Sequence, residues 1–424
     1  MTRTATRELS VFAPIVKEHE LRARLAAVEA ALDEHVAPTE PFSPAQVPDT
    51  HFMRFVIIED GELGDLLAWE LNYDGPEATY LENLATAAPG IDRILECCKG
   101  YPGVADREAW FAWIRAHRIR ASAFYVAYPG VPRAQVVNDL GVAAELRKTV
   151  DARRAELCEL PGHEIQRRLG EAVDVKWEIS ALPDETWRFQ LGQVLSVIAG
   201  AILLLPLLAI VITWWFWALL KHEHDDAGAP EPKRPVHTKK ELAALEDRVR
   251  QNQLTHVVDI KPGFFRMFTV WTVLHVIGVL SSQWYVEGHL GGITSIHFAR
   301  WVIVRDRREG IPRAKRRHRL VFFSNYDGSW ESYLGEFIDR ASEGLTAIWS
   351  NTQGFPKTKF LLWAGARDEE RFKQWTRDHQ LVTQMWWSGV PESTVQNVRD
   401  DVWLRRCLAV TLDDQEMTAW LRRI

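Results

Sequence analysis

FQLGQVLSVIAGAILLLPLLAIVITWWFWALL, residues 189–220, carries no charged side chain. About 20 consecutive apolar residues suffice to cross the hydrocarbon core of a bilayer, so this run predicts a transmembrane helix. Trp214, Trp215 and Trp217 close it with the amphipathic rings expected at headgroup level. Pro206 near its middle is a residue that a bilayer helix tolerates. A second charge-free run, MFTVWTVLHVIGVLSSQWYV at 267–286, is more polar and ends in Trp284 and Tyr285. It predicts a second crossing and so a hairpin, with His275 serving a helix–helix hydrogen bond.

Around these runs the chain has ordinary globular statistics. Its 424 residues are 47% hydrophobic and 25% charged, with a net charge of −6. That length allows two or three domains, and mild acidity argues against a nucleic-acid partner. Cys97, Cys98, Cys158 and Cys407 show no metal-ligand spacing and read as thiols in a reducing compartment. The first twenty residues lack the apolar segment of a signal peptide, which predicts cytoplasmic main domains. Localisation is accordingly expected at the cell membrane, multi-pass, with the lipid bilayer as partner.

Working outward, residues 1–50 read as an amphipathic helix (Leu21, Leu25, Val28, Leu32) and a linker holding Pro38, Pro41, Pro44 and Pro48. Residues 51–188 alternate strand and helix signals and end in a helical tail. Residues 221–266 begin with a Pro-rich loop, and Thr238-Lys-Lys-Glu241 is a capping box opening an amphipathic helix.

Residues 287–424 repeat 51–188. His297-Phe298 and Arg300 answer His51-Phe52 and Arg54, and Asn325-Tyr-Asp327-Gly328 is identical to Asn72-Tyr-Asp74-Gly75. Gly354-Phe-Pro356 answers Gly100-Tyr-Pro102, Trp375, Arg377 and His379 answer Trp113, Arg115 and His117, and Gly389-Val-Pro391 answers Gly130-Val-Pro132. Each copy predicts a ferredoxin-like α+β sandwich, so the fold class expected is an α+β membrane protein whose two repeats flank a transmembrane hairpin. The repeats differ where the second inserts a basic loop containing Arg305, Arg307, Arg308, Arg316 and Arg317, a pattern that binds anionic lipid headgroups or merely marks topology.

Several phrases of the second copy and its neck, THVVDIKPGFFR, GGITSIHFARW, FFSNYDGSWESYLGEFIDRA, SNTQGFP and RDEERFKQW, resemble a family of bacterial membrane proteins. The resemblance covers roughly residues 254–407 and implies a membrane location and this domain layout, not a reaction.

Chemistry is less legible. Nothing matches a phosphate-binding loop, a nucleophile elbow, a zinc-protease motif or a dinucleotide fingerprint, and His222-Glu-His224-Asp-Asp226 reads as solvated residues at a membrane edge. No metal site and no cofactor is expected. Candidate ligand residues are those kept in both copies: His51, Arg54, His297, Arg300, Asp327, Arg377 and His379. His and Arg three apart on a strand point to opposite faces. The plainer reading gives the His near helix ends a capping role and Asp74 and Asp327 a turn-capping role. The leading expectation is a binding protein that holds a small ligand, a lipid or a protein partner, another copy included, between its repeats. The alternative is a haem-dependent oxidoreductase, since paired α+β sheets house haem in the dye-decolorising peroxidase superfamily, which this chain distantly resembles. There His297 or His379 would ligate iron, assisted by Arg300, Asp327 or Arg377.

Overall fold

The computed structural model describes residues 6–33, 42–173, 213–223, 242, 246, 250–283, 293–308, 310–312 and 315–424. The first repeat opens with β1 (Thr6–Pro14) and α1 (Glu18–Asp33). It continues through β2 (Thr50–Ile58), β3 (Leu66–Asp74), α2 (Glu77–Ala87), α3 (Asp92–Leu95), α4 (Arg107–His117), β4 (Ala123–Val126), α5 (Arg133–Leu157) and α6 (Gly162–Ala172). The second runs β5 (Gln251–Ile260), α7 (Phe264–Gln283), β6 (Ile296–Val304), β7 (His318–Asp327) and α8 (Trp330–Trp349). It ends with a small hairpin β8 (Thr358–Lys359) and β9 (Trp363–Ala364), then α9 (Glu369–His379), β10 (Met385–Ser388), α10 (Val395–Leu408) and α11 (Asp414–Leu421).

The strands build two antiparallel four-stranded sheets, ordered β1-β3-β2-β10 and β5-β7-β6-β4. The repeats exchange their last strands. Met385–Ser388 of β10 lies beside Phe55–Phe52 of β2, and Ala123–Val126 of β4 lies beside Trp301–Phe298 of β6. Neither repeat is therefore a closed ferredoxin-like sandwich, because each sheet borrows one edge from the other half of the chain. The sheets face each other through Phe12, Val56, Ile58 and Ala68 on one side and Val257, Val302, Val304, Val321 and Phe323 on the other. Each of these side chains other than Ala68 contributes roughly 1.5–3 kcal/mol by leaving water, so this layer ties the halves together.

The transmembrane hairpin expected from sequence is corrected here, and with it the multi-pass placement in the cell membrane. Among the described residues no helix is long and apolar enough to cross a membrane. The first run lies outside the described residues up to Ile212, and its end, from Thr213, is helical to residue 223. The second run forms most of α7, which is the crossover helix joining β5 to β6 and the counterpart of α1. Val270 and Leu274 are fully buried in the core shared with the second sheet, and a Cβ on Gly278 would sit 3.6 Å from the backbone of Ala123 in β4. A crossover helix packed in this way needs an apolar stripe as well, and the sequence alone did not separate the two uses.

The long helices also pair across the repeats. Arg405 of α10 meets Asp139 of α5 at 2.7 Å, and Arg147 of α5 meets Asp401 of α10 at 3.2 Å. Burial pushes the Asp401 carboxyl up to about 6 against the pull of Arg147. The folded chain thus holds this proton more tightly than the unfolded one, whose carboxyl titrates near 3.9, and Asp401 makes stability fall as pH rises from about 4 through 6. Asp401→Asn should raise stability at pH 7 by about 2 kcal/mol and change little at pH 4, as thermal unfolding at the two pH values would show. An equal effect at both would refute the assignment.

Candidate functional site

The residues kept in both repeats converge between the sheets. Arg54 Nε lies 2.7 Å from Glu70 Oε2, and Arg300 Nη2 lies 2.6 Å from Glu70 Oε1, with all three side chains at most 1% exposed. Each arginine also reaches into the opposite repeat. Arg54 donates to the carbonyls of Leu254 (3.0 Å) and Ser324 (2.9 Å) and to the Asn325 side chain. Arg300 donates to the carbonyls of Leu9 and Leu71, both at 3.0 Å, and to Ser10 Oγ at 3.1 Å. Burial lowers the Arg54 pKa, Glu70 opposes that, and the neighbouring Arg300 adds to it. Glu70 has no acidic counterpart, since its partner position in the second repeat is Phe323. This centre is fully packed and serves as a structural clasp.

His51 and Arg54 do not diverge as a regular strand would require. The register shifts between Thr50 and Phe52 and again between Ile296 and Phe298, and each bulge turns its histidine toward the other repeat. The His51 ring lies 5.3 Å from Phe298, and the His297 ring 5.4 Å from Phe52. His51 Nε2 pairs with Asp74 at 2.9 Å and His297 Nε2 with Asp327 at 2.8 Å. Each carboxylate then accepts from the first-turn amide of a long helix, Arg133 or Val395, at 2.7 Å, where the helix dipole favours negative charge.

Among the described residues these contacts leave no room for haem at His51 or His297. His297 Nδ1 is taken by the Tyr128 hydroxyl at 3.0 Å, so both ring nitrogens are engaged. The space lined by His51, Tyr128, Gln251, His297 and Ser388 is about 10 Å³, room for one water, where a prosthetic group needs roughly 300 Å³ or more. His379 Nδ1 bonds the Trp375 carbonyl at 2.8 Å, as His117 bonds that of Trp113 at 2.9 Å. Arg377 pairs with Glu246 and stacks 3.6 Å from the Trp330 ring.

Open space lies elsewhere, where the basic insertion meets the first repeat. Val304 ends β6, and Asp306 turns inward while Arg305 and Arg307 stay exposed. Asp306 accepts from Arg308 Nη2 (2.9 Å) and from the amides of Arg308 (3.0 Å) and Arg317 (3.2 Å), which folds the insertion back on itself. The Arg308 guanidinium, foremost, holds the Asp306 carboxyl far below the usual carboxylate range. His318 Nδ1 accepts the Asp306 amide at 3.2 Å, and burial lowers the ring's pKa. Burial alone would lower the Arg317 pKa, but its carboxylate partners raise it above the ordinary value: Asp259 at 2.8 Å, Glu62 at 2.9 Å and Asp60 at 3.2 Å.

Of the five arginines expected to meet an anion, Arg308 and Arg317 are therefore internal counter-ions. Arg316 is half-buried and donates to the Ile311 carbonyl at 3.2 Å. Arg305 and Arg307 have no carboxylate partner among the described residues. They line a cleft of about 840 Å³ with Lys99 and Arg120 of the first repeat, likewise exposed and unpaired among the described residues, over a floor of Phe12, Leu66, Ile303, Val304 and Trp271. Arg118 also lines it, tied to Glu77. Lys99 and Arg120 stand some two hundred positions from the insertion and carry no sequence signal; Arg120 leads into β4, which joins the second sheet, and the Lys99 amide is held by the Pro14 carbonyl at the end of β1.

Comparison with protein-family models, with curated proteins and with solved structures finds no match for this chain.

Proposed function

We propose that this chain is a binding protein for a phosphate-bearing ligand with an apolar portion, held in the cleft between the insertion and the first repeat. The observation that carries this reading is four exposed cations without carboxylate partners among the described residues, Lys99, Arg120, Arg305 and Arg307, around an apolar floor. Guanidinium groups offer a planar fork matched to phosphate oxygens, and the absence of an internal counter-ion leaves that fork free. The cleft volume falls in the range of small-molecule sites. The floor supplies a surface for carbon, with the half-exposed Trp271 ring at its edge.

An alkyl phosphate series tests both parts of the proposal. Each buried methylene contributes up to about 0.8 kcal/mol, so hexyl phosphate should bind at least roughly tenfold more tightly than ethyl phosphate in calorimetric titration. Trp271→Ala should shrink that difference while leaving ethyl phosphate affinity nearly unchanged. Equal affinities across the series would remove the apolar portion, and no heat with any member would remove the proposal.

A further inference from the structure

We infer that the aromatic face beside this cleft docks onto an anionic phospholipid surface, which makes the phosphate-bearing ligand a lipid headgroup; this inference rests on the reading of the cleft given above. The face is built from three pieces. Helical residues 213–223 expose Trp214, Phe216 and Trp217, the last at 64%. The start of α7 exposes Phe264 at 76%, and the β8–β9 hairpin exposes Leu362 and Trp363.

Ring contacts join the pieces. Phe264 stacks on Phe268 with centroids 5.7 Å apart, and Trp215 lies 5.7 Å from Phe268. Phe216 stacks on Phe360 at 5.9 Å, and Phe360 meets Trp363 at 5.8 Å. The hairpin tip holds Phe360, Leu361 and Ala364 at positive φ (60°, 52° and 64°), a costly backbone for residues with side chains, and it carries Leu362 and Trp363 outward.

Charge complementarity identifies the occupant. Phe264 lines a hollow of about 630 Å³ together with Lys261, Arg305, Arg307 and Arg316, so the aromatic face runs directly into the arginines of the cleft. Lys359 adds a cation, its Nζ 6.0 Å from the Phe360 ring centroid. Aromatic rings beside a band of arginines suit the headgroup region of an anionic leaflet, where rings settle among glycerol groups and guanidiniums bind phosphate. Adsorption of this kind is peripheral and needs no helix across the bilayer.

The test uses the full chain with Cys158→Ser, which removes the exposed cysteine among the four and leaves three buried ones. A polarity-sensitive fluorophore is placed at Leu362→Cys and, in a second protein, at Val410→Cys, an exposed position among the C-terminal helices. Phosphatidylcholine vesicles containing phosphatidylglycerol should blue-shift the probe at 362 and leave the one at 410 unchanged. Pure phosphatidylcholine should shift neither. Arg305→Glu with Arg307→Glu should weaken the response at 362 at least tenfold. No shift at 362, an equal shift at 410, a response indifferent to those arginines, or a probe already in apolar surroundings without vesicles (a second copy or a segment of this chain covering the face) would each overturn the inference. If alkyl phosphates still bind while vesicles do not, only the lipid assignment falls. If neither binds, the reading of the cleft falls with it.

Discussion

Glu70→Gln should destabilise the fold by about 3–5 kcal/mol, seen as a large drop in the denaturant midpoint. The reason is the environment of the two guanidiniums that Glu70 neutralises. Arg54 and Arg300 are at most 1% exposed; Glu70 stands within 2.7 Å of both, and Glu8 reaches Arg300 alone, at 3.3 Å. Removing Glu70 leaves the buried Arg54 without a carboxylate among the described residues and Arg300 with the more distant Glu8, and an uncompensated buried charge costs more than the cluster ever contributed. The same logic gives a control. Replacing all three by apolar residues of similar volume (Arg54→Met, Arg300→Met, Glu70→Leu) should recover most of the loss. If Glu70→Gln left the midpoint unchanged, the clasp between the repeats would have no energetic content.

Arg305→Glu with Arg307→Glu should weaken pyrophosphate binding by roughly 100-fold or more. A hydrogen bond to a charged group contributes about 1.5–3 kcal/mol, so losing two exceeds about 3 kcal/mol before the added repulsion is counted. Because both side chains are exposed and unpaired among the described residues, the change should leave the denaturant midpoint nearly where it was. Wild-type binding should also weaken as salt is raised, since exposed charges are screened over about 8–10 Å at ordinary ionic strength. Variant affinity equal to wild type in calorimetry would dismiss the arginines as binding residues.

The sequence showed the duplication clearly, because turn residues such as Asn72-Tyr73-Asp74-Gly75 and Asn325-Tyr326-Asp327-Gly328 have no freedom to drift. It showed neither β1 nor β5. TRELSVFAP carries charge and a terminal proline, QNQLTHVVDI opens with three polar side chains, and both are edge strands without clean alternation. Strand exchange was invisible for a different reason. β4 and β10 are four residues each, and nothing in so short a run says which sheet it joins.

The site was legible in part for the same reasons. A run of arginines announced the insertion, but its division into outward Arg305 and Arg307 and inward Arg308 and Arg317 depends on Asp60, Asp259 and Asp306, two of them distant in sequence. The bulges beside His51 and His297 reversed a face assignment that strand periodicity made straightforward. The charge-free run at 267–286 has the composition of a lipid-facing helix, yet for its part in α7 the apolar surroundings come from β4 and α8.

The claim on which the rest depends is that one anion site is assembled from both repeats by the facing of their sheets and the strand exchange. Calorimetric titration of pyrophosphate into the full chain carrying Lys99→Glu and Arg120→Glu tests it most directly, because these residues share no local sequence with the insertion. Affinity should fall roughly 100-fold, two cations again being lost from contact with the anion. Wild-type affinity in that variant, alongside binding lost in Arg305→Glu with Arg307→Glu, would confine the site to the insertion and contradict the account.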